Sequence, residues 1–279
     1  MINLKTKHEI ELMARAGRLL ASVLPPLQAA CEPGVKTIEL DRIADKLIRD
    51  GGATPGFLGY HGFPRSICVS INDEAVHGIP GNRKIAAGDL VSLDLGLVLE
   101  GFWADVGITV GAGEITPEAR RLLKVTEEAL YVGIAKAQPG GWLGDISSAI
   151  QKHVEDAGFS VIRQFVGHGI GRQMHEDPQV PNFGRPGTPP RLKPGMTLAI
   201  EPMVNAGTFE VYMKPDGWTI CTADGALSAY FEHTVAITEA GPLILTAQPG
   251  SNGRGPGNPL SRGAGAIDES EPGRAGAQG

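Results

Sequence analysis

The chain has 279 residues, 42% of them hydrophobic and 20% charged, which is the composition of a globular protein with a sizeable core. Its net charge of −6 argues against nucleic acid or an anionic membrane as the main partner. Three scattered cysteines favour a reducing compartment over a disulfide framework, and no stretch resembles a signal peptide or a membrane span. The sequence therefore predicts a cytoplasmic protein.

Clear start signals mark the helices in the first half of the chain. Thr6 and Glu9 have the spacing of a capping box, which opens an amphipathic helix that Pro25-Pro26 should end or kink. The remaining elements predicted here are a helix from about Thr37 to Gly51 and strands at 66–71, 89–99 and 102–110, the last two joined as a hairpin around Glu100-Gly101.

The second half again alternates helices and strands. Thr116-Pro117-Glu118 supplies an N-cap, a first-turn proline and an early acid, so a long helix is predicted to begin there. A further helix is predicted at about 145–157, and strands at 196–201 and 230–238. Residues 248–279 are rich in Gly, Pro and Ser and nearly lack large apolar residues, so they are expected to form a disordered tail.

A weak internal repeat indicates two related halves. Pro33-Gly34 and Pro139-Gly140 each precede a predicted helix, and they are 106 residues apart. A shift of 107 aligns GDLVSLD with GMTLAIE. Because these matches have nearly the same offset, they favour a duplicated αβ unit. Such a duplication would place Asp94 and Glu201 at related positions in the two halves.

Four acidic residues interrupt apolar, strand-like runs. The predicted hairpin brings Asp94 and Asp105 across from each other, and Glu201 and Glu232 occupy similar positions in later strands. A single acid at a strand end can simply face water, but four of them together with His168 are better explained by a metal site rich in oxygen ligands. Five ligands exceed the need of one small ion, so the pattern favours two divalent ions that activate a shared water molecule.

Several longer motifs resemble those of one peptidase family. The chain is similar to the type I methionine aminopeptidases across roughly residues 4–245, in the stretches PGVKTIELD, GYHGFP, CVSINDEAVHGIP, GHGIGRQMHEDP, KPGMTLAIEPM and DGWTICTADGALSAYFEHTVAIT. The resemblance implies an α+β pita-bread fold, with two pseudo-symmetric αβ halves around a central antiparallel sheet. It also implies that 1–247 is a single catalytic domain in front of the 248–279 tail.

The resemblance assigns roles to the acids and to two further histidines. The family's metal ligands correspond to Asp94, Asp105, His168, Glu201 and Glu232, and they imply two divalent ions per chain, of Co, Mn, Fe, Zn or Ni. The catalytic residues are then His77, His175 and Glu201. His175 would donate a hydrogen bond to the scissile carbonyl, and His77 would contact the substrate and act as a proton shuttle near the leaving nitrogen.

The resemblance also implies a pocket for the methionine side chain. Its walls are expected to be Tyr60, Phe63, Cys68, His77 and Trp218, with Phe57 near the mouth and Met203 close by. Two positions depart from the family pattern: Val106 follows the second aspartate, where a hydroxyl residue is expected, and Phe57 replaces what is often a smaller residue. Among the other histidines, His153 and His233 are expected to be structural, and the role of His61 stays open.

The implied activity is removal of the initiator methionine when the second residue is small. The expected partners are peptides and nascent chains with an N-terminal methionine, and the ribosome near its exit tunnel; a monomer is expected. The runner-up within the same fold is an X-Pro peptidase, whose relatives usually carry an extra N-terminal domain. A type II methionine aminopeptidase would carry an insert between Glu201 and Glu232, and a catalytically inactive binding module would have lost ligands.

Overall fold

The computed structural model describes residues 1–248, so the predicted disordered tail, apart from Gln248, lies outside the described residues. No helix in this range is long and apolar enough to cross a membrane. The helices are α1 (Lys7–Ala30), α2 (Thr37–Asp50), α3 (Pro117–Lys136) and α4 (Leu143–Asp156), with a short 3-10 helix at Tyr60–Gly62.

Two of the predicted helix starts, at Thr6 and Thr116, are confirmed by their caps. At α1, the Thr6 side chain accepts a hydrogen bond from the Glu9 amide and the Glu9 carboxylate accepts one from the Thr6 amide. Of the two outcomes predicted for Pro25-Pro26, an end or a kink of the helix, the end does not occur, because α1 continues to Ala30. The hydrophobic side chains flanking the prolines, among them Leu24 and Leu27, are buried, and this packing offsets the loss of backbone hydrogen bonds.

Most strands belong to one large antiparallel sheet. Within the described residues this sheet has nine strands, in the order β1-β4-β5-β14-β9-β7-β8, with β2 paired to β4 and β15 paired to β14. The strands are β1 (Thr54–Pro55), β2 (Ile67–Ile71), β3 (Glu74–Val76), β4 (Leu90–Leu99), β5 (Phe102–Gly111), β6 (Ser160–Val161), β7 (Gly167–Gly169), β8 (Glu176–Val180), β9 (Thr197–Ile200), β10 (Met203–Asn205), β11 (Val211–Met213), β12 (Ile220–Thr222), β13 (Ser228–Tyr230), β14 (Glu232–Thr238) and β15 (Gly241–Ile244).

Two smaller sheets flank the large one, and the helices divide into two similar halves. The small sheets have the orders β13-β10-β6 and β11-β12-β3. As the repeat predicted, α4 begins and ends 106 residues after α2. The starts are Thr37 and Leu143, and the ends are Asp50 and Asp156. One hydrophobic core joins α1 and α2 to β2, β4 and β5, and another joins α3 and α4 to β9 and β14. The two halves therefore meet along the sheet between β5 and β14.

Candidate metal centre

Five successive strands of the large sheet each bring one of the predicted ligands to the middle of the molecule. These strands are β4, β5, β14, β9 and β7, and they cross the boundary between the two halves. The ligands, in the same order, are Asp94, Asp105, Glu232, Glu201 directly after β9, and His168.

The register of the β4–β5 hairpin places its two aspartates diagonally. Asp94 pairs with Gly107 and Asp105 pairs with Gly96, so the carboxylates are not directly opposite each other as the sequence predicted. The reason is the two-residue turn at Glu100-Gly101, in which both residues have positive φ. The position of this turn determines which residues of β4 and β5 pair along the ladder. Residues two apart on a strand share a face, so Asp94 and Asp105 still point to the same side of the sheet.

The side chains converge in a buried cluster. Ligand atoms of Asp105, His168 and Glu232 all lie within 4.8 Å of one another. Nε2 of His168 lies 3.5 Å from Oε1 of Glu201. Nδ1 of His168 donates to the carbonyl oxygen of Gly169 at 2.8 Å, which leaves Nε2 free to accept.

The cluster has the chemistry of a cation site. Oδ1 of Asp94 and Oε1 of Glu232 are buried and have no hydrogen-bond partner among residues 1–248. Burial raises the pKa of Asp94 to about 7, and burial together with the neighbouring carboxylates raises the pKa of Asp105 and Glu201 well above the usual range. A divalent cation would remove this mutual repulsion and satisfy the free oxygen atoms, so these residues fit a metal site.

The residues that support the carboxylates differ from those expected. Val106 is fully buried in the first-half core and contributes only its backbone amide, which donates to Oδ1 of Asp105 at 3.1 Å. The Tyr230 hydroxyl donates to Oε2 of Glu232, a contact that the sequence analysis missed. Strand alternation could not have identified it, because Tyr230 ends β13 and Glu232 begins β14 in a different sheet. Thr234 bonds the backbone of Asp105 through its hydroxyl.

The remaining predicted catalytic histidines lie beside the carboxylates. The ring of His175 is 4.2 Å from that of His168, and its Nδ1 lies 2.7 Å from the hydroxyl of Tyr60. Burial lowers the pKa of His77 to about 4, with His175 as a second cause. His77 and His175 both line the 90 Å³ cavity that contains Asp94 and Glu201.

The histidines expected to be structural have other surroundings. His233 is hydrogen-bonded to the Tyr131 hydroxyl at 3.2 Å and to Thr246 at 2.9 Å. His153 lies on α4, with Nε2 3.4 Å from a carboxylate oxygen of Glu128. Neither lines the cavities described at the carboxylate cluster.

A second cavity, of about 170 Å³, opens next to the carboxylates. Phe57, which was predicted near the mouth, lines this cavity and is only 4% exposed. Met203 lies in the neighbouring carboxylate cavity instead. Met174 and His61 line the pocket without having been predicted there. The complete lining is Phe57, Tyr60, His61, Phe63, Cys68, His77, Asp94, Met174, His175 and Trp218.

Comparisons with known proteins agree with this geometry. A methionine aminopeptidase of Clostridium perfringens is 54% identical over 246 residues, which cover 88% of this chain and 99% of that protein. A crystal structure of the methionine aminopeptidase of Thermotoga maritima has 45% identity and a TM-score of 0.87, and it covers 89% of this chain and 100% of that one. The prolidase of Pyrococcus furiosus shares the fold at 23% identity and a TM-score of 0.71, with 88% of this chain and 65% of that one covered.

The fold is thus the predicted pita-bread fold, with a curled antiparallel sheet between two αβ halves. The model of metallopeptidase family M24 matches residues 11–239, a span that includes all five predicted metal ligands. The chain therefore belongs to metallopeptidase family M24.

Proposed function

We propose that this chain removes the initiator methionine from peptides and nascent proteins whose second residue is small. The observation that carries the proposal is the convergence of four carboxylates, of which Asp105 and Glu232 are buried, and His168 beside a largely aromatic pocket. The 54% identity to a methionine aminopeptidase, over nearly the whole of that relative, supports the same activity.

The carboxylate cluster is the proposed metal-binding part of the site. Asp94, Asp105, His168, Glu201 and Glu232 would hold two divalent ions, of Co, Mn, Fe, Zn or Ni. When bound, such ions lower the pKa of a coordinated water and polarise the carbonyl that it attacks. The two free carboxylate oxygens and the raised pKa of the acids support this assignment.

Three residues would then handle protons and the developing charge. Glu201 would take the proton of the attacking water at Oε1, the atom that faces Nε2 of His168. Nε2 of His175 would donate to the scissile carbonyl oxygen, because Nδ1 is held by Tyr60. His77, which is neutral at physiological pH because burial lowers its pKa to about 4, would relay a proton to the leaving nitrogen.

The 170 Å³ cavity is the proposed pocket for the methionine side chain. Its aromatic walls and the sulfur atoms of Cys68 and Met174 offer polarizable contacts that suit a thioether. Asp94 and His175 line this pocket as well as the carboxylate cavity, so a side chain that fills it would present its α-amino group and first peptide bond to the carboxylates.

The domain boundary and the cellular setting are further proposals. We infer a single catalytic domain at 1–247, since the two hydrophobic cores and the site all lie within this range. Peptides and nascent chains with an N-terminal methionine are the proposed substrates. From the family resemblance we also propose a monomer that acts near the ribosomal exit tunnel, and the scattered cysteines support a cytoplasmic setting.

Metal removal and replacement test the proposed function. Dialysis against a chelator should abolish hydrolysis of Met-Ala-Ser, and added Mn²⁺, Co²⁺ or Fe²⁺ should restore it. Glu232→Gln should remain folded but inactive with every metal, whereas Glu128→Gln, a change between α3 and α4 and away from the carboxylate cluster, should keep full activity. Full turnover by metal-free protein would refute the two-metal mechanism.

The X-Pro peptidase remains the alternative activity, because the prolidase of Pyrococcus furiosus shares the fold. That protein is matched over 65% of its length, whereas the methionine aminopeptidases of Clostridium perfringens and Thermotoga maritima are matched over 99% and 100%. The coverage therefore favours the methionine aminopeptidase activity. The retention of all five ligands, in one cluster, argues equally against an inactive binding module.

A further inference from the structure

Tyr230 places a hydroxyl group inside the carboxylate cluster. Its side chain is 3% exposed and lines the 90 Å³ cavity together with Asp94, Asp105 and Glu201. The hydroxyl donates a hydrogen bond to Oε2 of Glu232, while Oε1 of the same carboxylate has no partner among the described residues. The two oxygens of Glu232 are therefore in different environments.

Gly107 makes room for this tyrosine. Gly107 is two residues beyond Asp105 on β5, so a side chain at this position would point into the same cavity. Its ladder partners are Asp94 on β4 and Glu232 on β14, which places it between two predicted ligands. A Cβ atom at Gly107 would overlap Cε1 of Tyr230, so the tyrosine ring occupies the space that a side chain there would fill.

The backbone of Tyr230 is fixed to the same strand. Its amide donates to Oγ1 of Thr109 at 2.8 Å, and its carbonyl oxygen accepts from that hydroxyl at 2.8 Å. Tyr230 also pairs with Met203 across β13 and β10. A tyrosine held at both its backbone and its ring can impose a position on the carboxylate that it contacts.

We propose that Tyr230 is a positioning residue of the metal centre: its hydroxyl donates to Oε2 of Glu232 and so fixes the orientation of this carboxylate in the proposed two-ion site. This role rests on the proposed metal site and adds to it a residue outside the five ligands. Tyr230 would also supply the hydroxyl support that Val106 cannot give to the carboxylates. Val106 has no hydroxyl, and its side chain packs into the hydrophobic core of α1, α2, β2, β4 and β5. The contact of Tyr230 with Glu232 depends on Gly107, because the tyrosine ring occupies the space that a side chain at Gly107 would fill.

Two variants distinguish the effect of the Tyr230 hydroxyl from the effect of the position of its ring. Tyr230→Phe removes only the hydroxyl, and Gly107→Ala displaces the ring while leaving the hydroxyl in the chain. The matched control is Tyr131→Phe, which removes the other buried tyrosine hydroxyl described near this strand, the one that bonds His233. The main readout is Mn²⁺ affinity of the metal-free protein by calorimetric titration, with folding checked by circular dichroism and thermal melting.

The proposal predicts that Tyr230→Phe weakens Mn²⁺ binding by about 10-fold or more, the range for loss of a residue that orients a metal ligand. The KM for Met-Ala-Ser should change little, because Tyr230 does not line the methionine pocket, and excess Mn²⁺ should recover much of kcat. Gly107→Ala should show the same loss, and the double variant should lose less than the two single losses combined. Tyr131→Phe should bind Mn²⁺ like the parent.

The outcomes distinguish this role from the proposed function. Parent-like Mn²⁺ affinity in both Tyr230→Phe and Gly107→Ala would overturn the positioning role while leaving the metal site intact. If Tyr230→Phe fails to fold, the affinity of Gly107→Ala decides alone, and an unchanged value rejects the proposal. A parent protein that binds no divalent ion would instead refute the proposed function, and the positioning role with it.

Discussion

The two histidines of the GHGIGRQMHE stretch differ in what their Nδ1 atoms contact. Nδ1 of His168 faces the carbonyl oxygen of Gly169, which can only accept, so Nδ1 carries the proton and Nε2 is a potential ligand. Nδ1 of His175 faces the hydroxyl of Tyr60, whose pKa is raised by burial. A protonated hydroxyl that donates to Nδ1 leaves the proton of His175 on Nε2, where it can stabilise an oxyanion.

Replacing His175 should therefore affect catalysis and leave metal binding intact. His175→Ala is expected to lower kcat for Met-Ala-Ser by about 10²–10³, the effect of losing one oxyanion donor. The metal content, measured by elemental analysis, should stay at the parent level. His153→Ala on α4 is the control, because that ring lies outside both cavities. Loss of metal in His175→Ala would place this residue among the ligands and contradict the division of roles.

The loop between β7 and β8, which carries His175, is built around a buried ion pair. The ammonium group of Lys5, from the segment before α1, pairs with the carboxylate of Glu176, and both side chains are nearly inaccessible. Oε1 of Glu176 also accepts from the amides of Arg172 at 2.9 Å and Gln173 at 3.2 Å. A side chain at Gly171 would overlap Lys5, so the glycine allows the loop to close over the lysine.

Breaking this pair should loosen the loop and lower activity. Lys5→Met leaves the Glu176 carboxylate buried without its cation, so the free energy of unfolding should fall by about 3 kcal/mol or more. The kcat for Met-Ala-Ser should fall as well, because the adjacent His175 loses its fixed position. Lys46→Met removes an exposed pair with Asp50 and should cost less than about 1 kcal/mol. Urea unfolding of both variants measures the free energy of unfolding. Equal decreases in the two variants would show that the buried Lys5 pair stabilises the fold no more than the exposed Lys46 pair does.

Local signals in the sequence predicted the elements that depend on local interactions. The caps at Thr6 and Thr116 and the turn at Glu100-Gly101 act within a few residues, and the structure confirms each of them. The strand predicted at 230–238 is instead two strands, β13 and β14, because residues on either side of Phe231 pair in different sheets. Such pairing depends on distant partners, which local patterns do not encode.

The candidate site was predicted only in part, because some of its contacts also depend on residues that are distant in the sequence. Acids in apolar strands are conspicuous in the sequence, so the proposed ligands could be named from their residue types and from the family resemblance. The contacts of Tyr230 with Gly107 and Glu232 join β13, β5 and β14, and the pairing of Lys5 with Glu176 joins segments 171 residues apart. A tyrosine and a lysine are ordinary residues in a sequence, and only the fold brings them to the site.

The whole molecule joins two αβ halves so that the carboxylate cluster and the aromatic cavity meet at their boundary. The pocket is closed on one side by Phe63 and Trp218, whose rings lie edge to face at 5.1 Å. Cys68, paired with Asp94 across β2 and β4, links the pocket wall to the carboxylates. In the proposed binding mode, a side chain in this pocket would place its peptide bond at the carboxylates, so specificity would depend on residues of both halves.

Three peptides test this specificity directly. Met-Ala-Ser should be hydrolysed with a higher kcat/KM than Leu-Ala-Ser, by a margin of about 1–3 kcal/mol, because the branched leucine side chain fits the pocket less well. Met-Lys-Ser should be hydrolysed poorly, since the second residue must pass the rim of the cleft beside His175. A Met-Gly-Ser control should behave like Met-Ala-Ser. Comparable rates on all these peptides would indicate a general aminopeptidase, and a preference for Xaa-Pro peptides would favour the alternative activity.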